Sequence, residues 1–405
     1  MSKVDELIQE LCPDGVERVA FGEVIVKLRT GLNPRQNFKL NTPDAQNHYV
    51  TVRELNGFSI QPTAKTDLVN DAGLKLIQKR SALEIGDVLF SGTGTIGKTA
   101  LVSEVPDNWG IKEGVYAITP DHSRLNPRFL IHLFHSSQVS GALIGSAMGG
   151  TVTSVSMAKL KSLAIPLPPL EIQEEIVRTL DQFVELDREL EQEIAGRVVQ
   201  FNRVRENLLS DTSFPRIPVG NLATRVSTGA TPKASESRYY QGGDIPWLRT
   251  GEVNFGEIWE TEKLITKTAL DATNVSWIAE NCVIVAISGA TAGRVAVNKI
   301  PMTTNQHCCN MQIDPETADY RFVFHALASS YEELKAQGRG ARGDLNTSLI
   351  KGFPIPLPPL EVQEEIAAKL DTFTEYIDNL KRERELRQKQ YEYYRDQLLD
   401  FDVKE

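Results

Sequence analysis

The stretch IPLPPLEIQEEI at residues 165–176 returns as IPLPPLEVQEEI at 355–366, displaced by 190 positions, with Ile172 against Val362 the one difference. The match runs on through Leu180/Leu370, Asp181/Asp371, Phe183/Phe373 and Glu185/Glu375. A helix entrance written twice predicts an architecture built twice, since self-similarity at a fixed shift marks a repeated structural unit. Upstream of each copy the sequence is mixed and turn-rich and repeats far more weakly. Thr30-Gly31-x-x-Pro34-Arg35 corresponds to Thr228-Gly229-x-x-Pro232-Lys233, and Glu54-Leu55-Asn56 to Glu252-Val253-Asn254, both at a shift of 198. Near-identical connectors joining divergent globules predict two readers of different things on one symmetric scaffold.

The double prolines Pro168-Pro169 and Pro358-Pro359 suit a helix first turn, where the missing N–H is an orphan anyway. The glutamates that follow sit where the helix dipole favours anions. Apolar residues then recur at heptad spacing: Ile176, Leu180, Phe183, Leu190, Ile194, Phe201, Val204 and Leu208 in the first stretch. Ile366, Leu370, Phe373, Ile377, Leu380, Tyr391, Tyr394, Leu398 and Phe401 follow in the second. Breaks fall at Asp187, Arg197, Arg384 and Arg387. The pattern predicts two long helices paired antiparallel about an internal pseudo-two-fold axis, with Arg197 and Arg387 as equivalent seam residues that set register. The expected divisions are a globule at 1–165, a helix at 166–210, a second globule at 211–355 and a second helix at 356–405.

A chain of 405 residues exceeds one comfortable core. The absence of a long apolar run or signal-like start leads to the expectation of a cytoplasmic protein. Its net charge of −10 looks wrong for a nucleic-acid binder until it is divided. Residues 168–210 and 358–405 carry 23 acidic and 13 basic groups, leaving 31 of each sign elsewhere. A neutral globule can still gather cations on one face, so the overall charge excludes nothing. The four cysteines, Cys12, Cys282, Cys308 and Cys309, have neither a disulfide framework nor zinc spacing and read as reduced and mostly buried.

Residues 92–99, GTGTIGKT, satisfy a phosphate-loop pattern. Such a loop must open a helix, yet Ala100-Leu101-Val102 and a charged turn follow. Its repeat counterpart, ISGATAGRVAV at 287–297, has lost the lysine and threonine. A hairpin-like turn presenting one cation, Lys98 or Arg294, accounts for both copies. His132-x-x-His135 lacks the spacing of a helical zinc site. Asn126-Pro127-Arg128-Phe129 lacks the second proline of an amino-methyltransferase motif and reads as a turn before a helix. No catalytic constellation emerges, so any methylation belongs to another chain.

The paired PLPPLE(I/V)QEEI entrances, the long helix after each, and GDVLFSGTGTIGKTALV at 86–102 with its weaker copy resemble the specificity subunits of type I restriction–modification systems. The resemblance covers essentially the whole chain. It implies an α+β fold in which two globular target-recognition domains are joined by two long antiparallel coiled-coil helices. It further implies a non-catalytic chain whose domains each read half of a bipartite DNA target, while the helices fix the gap and bind two modification subunits. S-adenosylmethionine, ATP and Mg would reside on those subunits and on restriction subunits, with no cofactor or metal on this chain. Two competing readings are a nucleotide-dependent DNA-modifying enzyme and a coiled-coil scaffold.

Readout needs side chains at base edges and cations at phosphates. The expected DNA-binding residues are Arg35, Lys98, Lys233 and Arg294, then Arg53, Arg249, Arg339, Arg342 and Arg29, with Tyr239 and Tyr240 packing on the backbone. The expected surface for modification subunits includes Glu174, Glu175, Glu364 and Glu365. The half-sites and their spacing are not legible.

Overall fold

The computed structural model describes residues 3–35, 37–104, 106–147, 154–338 and 344–404. Both proline-rich entrances lead into helices, Leu170–Leu209 and Leu360–Leu398, which begin four residues later than expected. The difference has a local cause. A residue before proline is pushed toward extended backbone, and Ala164–Pro166 and Pro354–Pro356 form strands instead. They pair antiparallel with Arg18–Ala20 and Arg216–Pro218 respectively.

The chain divides into two compact units, 1–191 with 383–405, and 192–382. Each therefore holds one globule plus part of both long helices. In the first unit, a four-stranded antiparallel sheet has the order Ile25–Thr30, Val115–Pro120, Val88–Ser91, Thr99–Leu101. A three-stranded sheet runs Leu68–Val69, Asn47–Val50, Trp109–Ile111. The second unit repeats the plan with an extra strand on each sheet. Its larger sheet is Ala223–Thr228, Cys308–Ile313, Val283–Ala286, Val295–Asn298, Glu257–Ile258, and its smaller is Leu264–Ile265, Ile245–Leu248, Met302–Thr304, Trp277–Ile278.

Within the first unit Phe183 packs on Tyr391 and Tyr394, while Asp187 accepts from Arg384 Nε at 2.9 Å and from Gln388 at 3.0 Å. Numbers rise on one helix as they fall on the other, so the pairing is antiparallel. Within the second, Tyr376 donates to Glu193 at 2.9 Å and Phe201 packs on Phe373, in the same sense. Arg197 sits at the edge of the seam, its guanidinium 5.3 Å from the ring centroid of Tyr376 on the other long helix, while Arg387 bonds along its own helix, to Gln390 at 3.1 Å. Each is about two-fifths exposed and reaches back one turn, to Glu193 and Glu383, at 3.4 Å. Asp187–Arg384 is a polar seam contact and accounts for two of the four heptad breaks.

The repeated helix entrance is a joint. Gln173 is fully buried and donates to the carbonyls of Pro168 and Arg124, both at 2.8 Å, while accepting from Asn126 N at 2.9 Å. Gln363 accepts from Asp319 N at 3.0 Å and donates to Pro358 O at 2.8 Å. Asn126 and Asp319 cap the helices Pro127–His135 and Tyr320–Ser329, so one glutamine ties each globule's helix to its long helix. Asn126-Pro127 is thus the helix start expected from sequence, with proline in the first turn.

About two turns onward, Asp181 receives Arg128 Nε at 2.6 Å and His132 Nε2 at 3.0 Å. Asp371 receives Arg321 Nε at 2.9 Å and His325 Nε2 at 2.7 Å. Burial pushes the Asp371 carboxyl up, but bonds from His325 and Arg321 outweigh it and hold the group at about 2. Burial pushes both His132 and His325 below the usual histidine range. Among the described residues no group of three or more His, Cys, Asp or Glu side chains could hold a metal ion. The four cysteines are free, and burial raises Cys282 to about 11 and Cys308 and Cys309 to about 12. No described helix is long and apolar enough to cross a membrane.

Candidate nucleic-acid interface

The glycine-rich segment at 92–97 connects two antiparallel strands, Val88–Ser91 and Thr99–Leu101, and opens no helix. Ser91 Oγ donates to Thr95 O at 2.6 Å and accepts from Lys98 N at 2.8 Å, closing the turn from inside. Gly94 and Gly97 have φ of 74° and 90°, which side chains with a Cβ rarely adopt. The second copy joins Val283–Ala286 to Val295–Asn298 in the same way, with Gly289 and Gly293 at φ of 78° and 85°. Both hairpins therefore present a cation, Lys98 or Arg294, as the hairpin reading requires.

The weakly repeated motifs build a frame. A Cβ on Gly31 would lie 1.9 Å from Ile111 O, and one on Gly229 would lie 1.7 Å from Thr304 O, so the Thr-Gly loop crosses the smaller sheet where only glycine fits. The loop is pinned from below: Tyr49 donates its hydroxyl to Leu32 O at 2.8 Å, and Trp247 donates Nε1 to Ala230 O at 3.0 Å. Glu54 accepts from Thr51 N at 2.8 Å, and Glu252 accepts from Arg249 N at 3.0 Å, each closing a short 3-10 turn. These residues repeat because they shape backbone.

Arg35, Lys98 and Lys233 are exposed, with no side-chain hydrogen bond or ion pair among the described residues. Arg35 also has φ of 21°. Arg294 is half-buried and donates to Asn254 at 2.9 Å, joining its hairpin to the repeated Glu-Val-Asn segment. Arg53 pairs with Asp67 at 2.9 Å and remains 56% exposed. Arg249 is engaged by Glu252 at 3.5 Å and by Glu262. Arg339 and Arg342 lie outside the described residues. Arg29 is not available to DNA, because it is bound to the buried Asp87 at 2.7 Å and to Thr119. Tyr239 is buried, and Tyr240 donates to Pro232 O.

Of the four helix glutamates, Glu174, Glu364 and Glu365 are exposed. Glu175 is not: it is buried, accepting from Arg178 Nε at 2.9 Å with Lys3 at 3.4 Å, and so belongs to its own unit's packing. Reading the sequence missed the Asp181 and Asp371 joints. The signal was present, because Arg128-x-x-x-His132 and Arg321-x-x-x-His325 stand in equivalent helices one turn apart on the same face.

The family model described as type I restriction modification DNA specificity domain matches the chain twice, at residues 13–198 and 218–388. The chain is 31% identical over 264 residues to the EcoR124I/EcoR124II specificity subunit of Escherichia coli, covering 61% of this chain and 65% of that protein, a little under two thirds of its length. It is 24% identical over 396 residues to the putative MjaX specificity subunit of Methanocaldococcus jannaschii, covering 92% of this chain and 90% of that one. The solved S subunit of a type I restriction–modification system from M. genitalium superposes with a TM-score of 0.58 at 14% identity, over 95% of this chain and 96% of that one, a likeness of fold. The two matched regions are the two globules with their helix entrances, and the chain belongs to the type I restriction–modification DNA specificity family.

Proposed function

We propose that this chain is the DNA-specificity subunit of a type I restriction–modification complex, in which each globule reads one half of a bipartite target. The carrying observation is the frame built twice. The Thr-Gly loop, the Glu-closed turn and the glycine hairpin recur in each unit, while the side chains around them differ. A repeated frame with divergent surface suits two readers of different half-sites. Exposed Arg35, Lys98 and Lys233 would grip phosphates, a contribution that weakens with salt as counterions return. The long helices would set the gap between half-sites and dock modification subunits through exposed positions such as Glu174, Glu364 and Glu365. Methyl transfer, S-adenosylmethionine, ATP and Mg would belong to those partners and to any restriction subunits.

Replacing residues 1–165 with the equivalent globule of a relative tests the modular reading. The methylated motif is expected to change in one half only, and a change in both halves would contradict it.

A further inference from the structure

The two units superimpose a backbone plan on unlike side chains at one place in particular. In the first globule a cleft of about 350 Å³ is lined by residues that include Asn33, Tyr49, Thr51, Arg53, Asp67 and Lys112. Its backbone partners in the second globule follow residue by residue. Tyr49 N donates to Asp67 O at 2.8 Å, and Trp247 N to Lys263 O at 3.1 Å. Lys112 N donates to Val50 O at 2.8 Å, and Asn305 N to Leu248 O at 2.9 Å. The strand registers agree, with His48 opposite Leu68 and Pro246 opposite Leu264. Asn33, Arg53, Asp67 and Lys112 thus correspond to Thr231, Gly251, Lys263 and Asn305. The frame is kept while the polar lining changes at all four positions, including the reversal of charge from Asp67 to Lys263.

Within the first cleft Arg53 is oriented. Its Nη2 donates to Asp67 Oδ2 at 2.9 Å and its Nε approaches Thr51 Oγ1 at 3.4 Å, while Asp67 Oδ1 is fixed by Asn41 at 2.9 Å. Nη1 and the second hydrogen of Nη2 remain for a ligand, on a side chain that is 56% exposed. A guanidinium held by a carboxylate presents its free donors in a fixed fork, the geometry that matches O6 and N7 of guanine in the major groove. A phosphate grip needs no such orientation.

We propose that Arg53, positioned by Asp67, reads a guanine in the half-site of the first globule, and that the different lining at Gly251 and Lys263 gives the second globule a different preference. This rests on the DNA-specificity reading and adds a base contact to it.

The test uses the complex of this chain with its modification subunits and fluorescent duplexes carrying the methylated motif, each base pair of both half-sites substituted in turn. The wild-type complex is expected to reject replacement of one G·C pair in the first globule's half-site. Arg53→Gly and Arg53→Lys are both expected to lose roughly 5- to 150-fold of that discrimination, since lysine keeps the charge but not the fork. Asp67→Asn should lose part of it, and discrimination in the other half-site should stand. If Arg53→Gly weakens binding to every duplex by one factor while Arg53→Lys restores it, Arg53 is a phosphate contact and the proposal fails. Unchanged discrimination in both variants also overturns it. A wild-type complex with no sequence preference would instead overturn the specificity reading itself.

Discussion

His135 shows how far burial, helped by neighbouring cations, can move a histidine. It bonds Thr99 Oγ1 at 2.9 Å, and burial, with His132 and Arg395 nearby, lowers it to about 4. The unfolded chain takes up that proton near pH 6.5. Between about pH 6.5 and 4 the unfolded state therefore binds more protons than the folded one, so stability falls as pH drops through this window. His132 and His325 act in the same direction. Asp371, held at about 2, contributes stability that is complete above about pH 4 and is lost only as pH falls toward 2. Denaturant midpoints measured across the range should decline toward pH 4, and His135→Gln should flatten the decline. Identical slopes in the two proteins would contradict this origin.

Between the helices the repeat predicts where polarity can be exchanged for packing. Asp187 and Arg384 form the polar seam contact of the first unit, and the positions displaced by 190 residues are Ile377 and Ile194 in the second. Both charged side chains are a little over a quarter exposed, so removing one partner costs less than it would in a dry core. Asp187→Ile or Arg384→Ile alone is expected to destabilise by about 1–2 kcal/mol, and the double substitution to return within ~1 kcal/mol of wild type. Equilibrium unfolding decides it, and additive losses in the double variant would contradict the equivalence.

At this scale the sequence was informative because period and punctuation are local. The heptads, the proline entrances and the mismatch between GTGTIGKT and its helixless surroundings all predicted the elements found. Seam occupancy was less legible: Arg197 and Arg387 sit at matching heptad positions, yet Arg197 reaches the ring of Tyr376 on the other helix while Arg387 bonds along its own, to Glu383 and Gln390. Glu175 was misplaced for a related reason, since its burial depends on Arg178 and on Lys3 from the far end of the chain.

For the whole molecule, the strong and the weak repeats do different structural work. The near-identical segments hold Gln173, Gln363, Asp181 and Asp371, which join globules to helices. The weaker repeats hold Gly31, Gly229, Glu54 and Glu252, which shape loops. The proposed base reader stands at an unrepeated position between them, Arg53 against Gly251. A search for repeated cations finds the hairpin lysine and arginine but passes over Asp67 and Lys112, because a cleft assembled from separate strands leaves no mark in linear spacing.

The most direct test is single-molecule sequencing of DNA from cells expressing the modification subunit proposed as its partner, with and without this chain. The account predicts a bipartite methylated-adenine motif, two short specified halves around a fixed unspecified gap, that appears only when the chain is present. Methylation at the same sites in its absence would contradict it.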